Sequence, residues 1–200
     1  LNKMQPLQLF VAGDGPKNKD QIESVKKTRA LLNSYQFEGK VSTLYSDTNM
    51  GCRQRVITAI DWFFSKVDKG IILEDDTVPS TSFFQFCEVL LQRYSSNKNI
   101  FSVTGVSWLP DTYKINSDYY FSKYAGIWGW ATWKNKWEKI HKSTSNFNEF
   151  EYKKKLKDVA YDETELKFHI QTVKDVLIGN VDSWGFLWRY TIIQNDGYCI

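Results

Sequence analysis

Two hundred residues with a hydrophobic fraction of 42% supply enough chain for a sizeable core without disulfide or metal staples. Only 11 glycines and 4 prolines argue against disordered or collagen-like chain, and Lys+Arg 26 against Asp+Glu 23 leaves a net charge of +3, too small to indicate a nucleic-acid partner. Aromatic residues reach 16%, including 8 tryptophans, an excess that calls for an explanation. Residues 7–12 (LQLFVA) predict a short strand closed by the turn cluster Gly13-Asp14-Gly15-Pro16. Helical spacing of Ile22, Val25, Arg29 and Leu32 follows over 20–33, then a second strand over 41–45. Asn49-Met50-Gly51 punctuates before a helix carrying Val56, Ile57, Ile60, Phe63 and Phe64 on its apolar face. Residues 71–73 read as a strand buried on both faces, 83–94 as a helix and 100–104 as a further strand. This alternation predicts an α/β domain with a mainly parallel central sheet flanked by helices.

The second half reads differently. Residues 106–130 are loop-rich and aromatic, with one strand expected over 119–122, and the pattern is helical over 134–141, 147–157, 163–177 and 183–194. Eight lysines between Lys134 and Lys157 against three glutamates read as a solvated helical face. The chain is expected to be a single domain over 1–200 that lacks an upstream strand and a downstream tail. No apolar run approaches the roughly 18 residues of a membrane span, and no basic-then-apolar leader opens the segment. A soluble, cytoplasmic setting is therefore expected, with association at a membrane periphery left open. Cys52, Cys87 and Cys199 are odd in number and widely spaced, which fits neither a zinc site nor a disulfide framework. With His141 and His169 the only histidines, a histidine-dependent triad finds no support, and His169 reads as structural.

Glu74-Asp75-Asp76 directly follows the strand at 71–73, where open α/β sheets place their ligands. Three adjacent carboxylates suit a hard cation, Mg²⁺ or Mn²⁺, that could bridge a diphosphate. On extended backbone Glu74 and Asp76 would face one way and Asp75 the other. The segment from Ile71 through Ser80 resembles the metal-binding segment of GT-A glycosyltransferases, in particular the N-acetylglucosaminyltransferase I group and related bacterial sugar transferases. Phe10 through Pro16, Asn49-Met50-Gly51-Cys52 and Gly126-Ile127-Trp128-Gly129-Trp130-Ala131-Thr132-Trp133 resemble other segments of the same family, in the same order.

The resemblance implies a GT-A, Rossmann-like fold and a metal-dependent inverting glycosyltransferase using a nucleotide-diphospho-sugar, UDP-linked, and a glycan or lipid-linked acceptor. If eukaryotic, such a chain is expected in the Golgi lumen. By the same resemblance Asp76 holds Mn²⁺ (or Mg²⁺), Asp75 contacts the donor ribose, Glu74 lies near the transferred sugar and Asp14 near the base. The family's base-contacting histidine is absent, since no histidine precedes His141. Arg53 and Arg55, in the first turn of their helix, are candidates for phosphate. Asp182, in Val181-Asp182-Ser183-Trp184, matches the position of the catalytic base; capping the following helix is the competing role. Asp162 and Asp175 are lesser candidates. Trp133 and Trp137, four apart, are expected to pack, whereas Trp128, Trp130 and Trp184 are candidates for sugar contact. Two other readings compete: a nucleotidyltransferase making activated sugars, and a carbohydrate-binding module that would leave the acidic triplet idle.

Overall fold

The computed structural model describes residues 8–110 and 112–200, so Leu7, expected to open the first strand, lies outside the described residues. The chain is mixed α/β and divides into two compact units, one ending at Phe63 and the other running over Phe64–Ile200.

In the first unit β1 (Gln8–Gly13) leads through a 3₁₀ turn (Lys19–Gln21) into α1 (Ile22–Ser34), then β2 (Lys40–Tyr45) and α2 (Cys52–Phe64). β1 and β2 pair in parallel, Gln8 opposite Lys40 and Gly13 opposite Tyr45. Asn18 caps the 3₁₀ turn, its side chain accepting from the Gln21 amide. Phe10 meets Trp62 and Phe63 of α2 edge-on, at 5.4 and 5.1 Å between ring centroids. Gly51, at φ 78°, takes the left-handed turn that feeds α2.

The second unit is built on a four-stranded sheet, and this corrects the expectation of one central, mainly parallel sheet. Its strands are β3 (Lys69–Ile72), β4 (Ile100–Thr104), β5 (Trp130–Trp133) and β6 (Tyr198–Cys199), in the order β3-β5-β4-β6. β5 runs antiparallel to both neighbours, while β4 and β6 are parallel. The strand over Trp130–Trp133 is not expected from the sequence, which reads as loop up to 130 and as helix soon after, because a strand buried at every position shows no polar alternation. Two further expectations are corrected. The 119–122 segment contributes only a bridge between Ser122 and Cys199. β3 is an edge of its sheet with half-buried Ile71 and Ile72, not a strand covered on both faces.

α3 (Thr81–Arg93) packs Phe83, Cys87, Leu90 and Leu91 against Val103, Ala131 and Trp133. The second half then runs through α4 (Lys134–Trp137), α5 (Lys139–Ser145), α6 (Glu149–Leu156), α7 (Glu163–Leu177) and α8 (Gly185–Gln194). The single helix expected over 134–141 is thus two, meeting at Glu138. α8 buries Leu187, Trp188, Tyr190, Thr191, Ile192 and Ile193, as a helix apolar around most of its circumference must. Trp130, Trp137, Trp184 and Trp188 gather beside it, with centroids 5.3 to 6.3 Å apart. Half of the tryptophans therefore form one interior cluster. Among the described residues no helix is long and apolar enough to cross a membrane.

Candidate functional site

The register of the second sheet brings three loops together. Trp130 sits opposite Ile72 of β3 and Thr104 of β4, so the segment after β3, the segment after β4 and the segment before β5 emerge side by side. The Gly105 amide donates to the Gly129 carbonyl at 2.8 Å, tying two of them. Between them lies a cavity of about 310 Å³ whose wall includes Asp76, Thr77, Ser80, Phe83, Gly105 and Trp128. A Cβ on Gly105 would stand 2.8 Å from the Phe83 ring, and Gly129 has φ +67°, so both positions require glycine. β3 and β4 run the same way, and the cavity stands at their carboxyl ends, where ligands of open α/β sheets bind.

The acidic triplet turns rather than extends: the Thr77 amide donates to the Glu74 carbonyl at 3.0 Å, closing a tight turn over Asp75 and Asp76. Strict alternation of the three side chains therefore does not hold. Glu74 is half-buried, while Asp75 and Asp76 are exposed. Burial pushes the Glu74 carboxyl up; the Trp184 indole N–H, which donates to it, works the other way, and the charges of Asp76 and Asp75 add to the rise. Asp76 reaches the cavity, where Thr77 Oγ1 donates to its Oδ1 at 3.4 Å. Among the described residues no group of three or more His, Cys, Asp and Glu stands ready to hold a metal ion. A hard cation that keeps several waters and shares phosphate oxygens needs only one or two protein carboxylates, and Asp76 with the exposed Asp75 fits such a cation.

Trp128, 53% exposed, remains open to a ligand at the cavity wall. Trp130 and Trp184 do not, at 0% and 2% exposed: they stack on each other at 5.6 Å and 21°, and the expectation that they contact sugar is corrected. The reason is β5 itself, which turns Trp130 into the interior cluster. Trp133 and Trp137 are buried as expected, though not as neighbours on one helix: Trp133 ends β5 and packs with α3, and Trp137 lies in α4 within the tryptophan cluster. Trp108 was missed. It is 57% exposed and lies 6.1 Å from Trp128, ring to ring; its only signal in the sequence is a tryptophan two residues past Val106, another residue of the cavity wall.

Asp182 is exposed and lies two residues before Trp184, the residue that holds both Glu74 and Trp130. A Cβ on Gly185 would meet Ile127 at 2.7 Å, so the start of α8 packs on the segment that bears Trp128. The N-cap position of α8 is Trp184, two residues past Asp182. Asp162 caps α7 through the Glu165 amide at 2.8 Å, and Asp175 accepts from Gln171 at 3.1 Å. Both have structural work to do.

In the first unit Asp14 is tightly engaged. Its carboxylate accepts from the Gly15 amide at 2.9 Å, the Met50 amide at 3.0 Å and Asn49 Nδ2 at 3.0 Å, lashing the turn after β1 to the turn before α2. Those donors take up most of its lone pairs. Arg55 is 8% exposed and donates to the Leu44 carbonyl at 2.9 Å, so it braces β2 against α2 instead of presenting its guanidinium to phosphate. Burial lowers its pKa and Asp14 raises it, while Arg29 adds to the lowering. Arg29 donates to the Asp14 and Ser46 carbonyls at 3.1 and 2.6 Å, completing this scaffold. Arg53 is half-buried in the first turn of α2.

His169 is structural in its surroundings. It lies between Glu165 and Arg189, with Arg189 Nη1 2.6 Å from its Nε2. Burial and the Arg189 charge lower its pKa, favouring a neutral ring that accepts from Arg189. Glu165 is raised by burial but more strongly lowered by the Tyr161 amide and Tyr124 hydroxyl that donate to it, by its contact with His169 and by the Arg189 charge, and ends at about 2. This polar cluster locks α7 to α8. No protein-family model, curated protein or solved structure matches the chain.

Proposed function

We propose that the chain is a metal-dependent inverting glycosyltransferase of GT-A architecture, moving a sugar from a nucleotide-diphospho-sugar to a hydroxyl of a glycan or lipid-linked acceptor. The observation that carries the reading is the shared cavity at the carboxyl ends of β3 and β4. Two sequence motifs 50 residues apart, around Asp76 and around Gly126–Trp130, meet there through the antiparallel register of β3 and β5. Asp76 and Asp75 would hold Mn²⁺ or Mg²⁺, which supplies charge neutralisation to the departing diphosphate when bound.

The remaining work falls to this chain's own groups. Asp182 accepts the proton of the acceptor hydroxyl as its oxygen bonds the anomeric carbon, and the bond to the diphosphate breaks with its electron pair. One displacement inverts the anomeric centre. Glu74, held by the Trp184 N–H, opens the turn that carries Asp76. Asp14 and Arg55 act as scaffold in the first unit rather than as direct ligands.

Calorimetry tests the reading. UDP should bind in the presence of Mn²⁺, and Asp76→Ala should weaken that binding about 10- to 100-fold, the worth of a charge-assisted contact. Equal UDP affinity in EDTA would overturn the assignment and leave a carbohydrate-binding module, for which the exposed Trp108 and Trp128 speak. Asp182→Asn should lower turnover about 100- to 10,000-fold while sparing UDP binding. Near-normal turnover would pass the base role to another residue.

A further inference from the structure

Trp108 and Trp128 are more than half exposed in a unit whose other tryptophans are all buried. Their rings are 6.1 Å apart and tilted by 43°, so they present two faces of one shallow aromatic surface. Trp128 belongs to the cavity wall, and Trp108 lies beyond it, so the surface runs outward from the site. It is held in place. Tyr120 Oη accepts from the Trp108 amide at 3.3 Å and meets Ser107 Oγ at 3.1 Å, while the Leu109 amide donates to the same Ser107 oxygen at 3.3 Å. At the other end the Gly105 to Gly129 hydrogen bond fixes the segment of Trp128.

The chemistry beside these rings selects the ligand. The cavity wall offers the Asp76 carboxylate and the hydroxyls of Thr77 and Ser80, and among the described residues no cationic side chain. A lipid tail would bury those polar groups without partners, and an anion with no bridging cation would meet only the carboxylate. A neutral hexopyranose satisfies both halves: its C–H face lies on indole, and its rim of hydroxyls reaches oxygen acceptors and donors. The donor sugar is tethered through its diphosphate, so it needs no outlying platform; a second sugar does.

We propose that Trp108 and Trp128 form the platform that holds a neutral hexopyranose of the acceptor, stacked beside the Asp76 cavity. The word acceptor rests on the glycosyltransferase reading; the saccharide site does not. Saturation-transfer NMR on the whole chain, with lactose, cellobiose, maltose and N,N′-diacetylchitobiose as probes, tests it. At least one disaccharide should receive saturation at its ring C–H protons. Trp108→Ala and Trp128→Ala should each weaken its binding about 3- to 10-fold, the worth of one aromatic contact. Circular dichroism of both variants should match the parent, because neither ring is buried. Absence of transfer to all four probes, or equal binding by the double variant, overturns the platform.

UDP with Mn²⁺, followed by UDP-linked hexose with Mn²⁺, separates the two claims. Retention of the disaccharide signal alongside bound nucleotide-sugar supports the acceptor assignment, and its displacement by the nucleotide-sugar overturns it in favour of the donor. Saccharide binding without any UDP binding would sink the transferase reading and keep the site. UDP binding without saccharide binding would do the reverse.

Discussion

Lys136 belongs by position to the lysine-rich stretch expected to face solvent, yet it is 5% exposed. Its ammonium donates to the carbonyls of Asn97 and Lys98 at 2.9 and 2.6 Å and lies 4.9 Å from the centre of the Phe101 ring, bracing the turn that enters β4. Burial, with a smaller push from Lys139, lowers its pKa to about 8. Between that value and the ordinary lysine value the unfolded chain binds more protons, so this group makes stability rise as pH rises from about 8 towards 10.5. The buried thiols of Cys87 and Cys199, pushed up to about 12, act in the opposite direction above their ordinary value of 9. Denaturant titrations of the parent and of Lys136→Met isolate the lysine: the difference in unfolding free energy between them should shift in the parent's favour across that window. A pH-independent difference would show that Lys136 titrates normally. Charge counting could not reveal this residue, because two backbone carbonyls rather than an acidic side chain hold it.

At the scale of elements, α7 and α8 show what local rules can and cannot deliver. Asp162 before Glu163 and Glu165 is a legible helix start, and the side chain does cap the Glu165 amide. Asp162→Ala should cost about 1 kcal/mol in chemical denaturation. α6 is equally local, with Asn148 as its cap, acids in its first turn and lysines in its last. α8 carries little amphipathic pattern because nearly all of it is interior. Trp188, 0% exposed between Phe101, Trp130 and Trp137, is its anchor. Trp188→Ala should destabilise by about 3–5 kcal/mol, a loss readable from the shift of the denaturation midpoint. A change below about 1 kcal/mol would mean that the cluster refills the space. β5 was unreadable for the related reason that its four residues are buried on both faces.

Across the whole molecule, burial is uneven. No residue of α1 is buried, and Leu31 and Tyr35 stand 71% and 73% exposed, whereas β4, β5 and α8 carry the interior of the second unit. Native-state hydrogen exchange should therefore be fastest among helical amides in α1 and slowest in α8 and β5, since few buried contacts mean cheap local opening. Comparable protection of α1 and α8 would contradict this ranking.

Local chemistry determined the mixed α/β class, the strand at 100–104, the helix at 163–177 and the placing of Glu74-Asp75-Asp76 just past a strand, because spacing, caps and turn residues act over a few positions. Tertiary structure alone decided which tryptophans face outward. Trp128 and Trp130 are two apart and chemically identical, but pairing of β5 with β3 and β4 begins at Trp130 and buries it, while Trp128 stays in the preceding segment at the cavity wall. The same pairing converts an acidic turn and a glycine-flanked tryptophan into one site, and brings Trp108 beside them from the end of β4. Strand register is a long-range choice, set by the burial of whole faces, and a sequence read in short windows does not contain it.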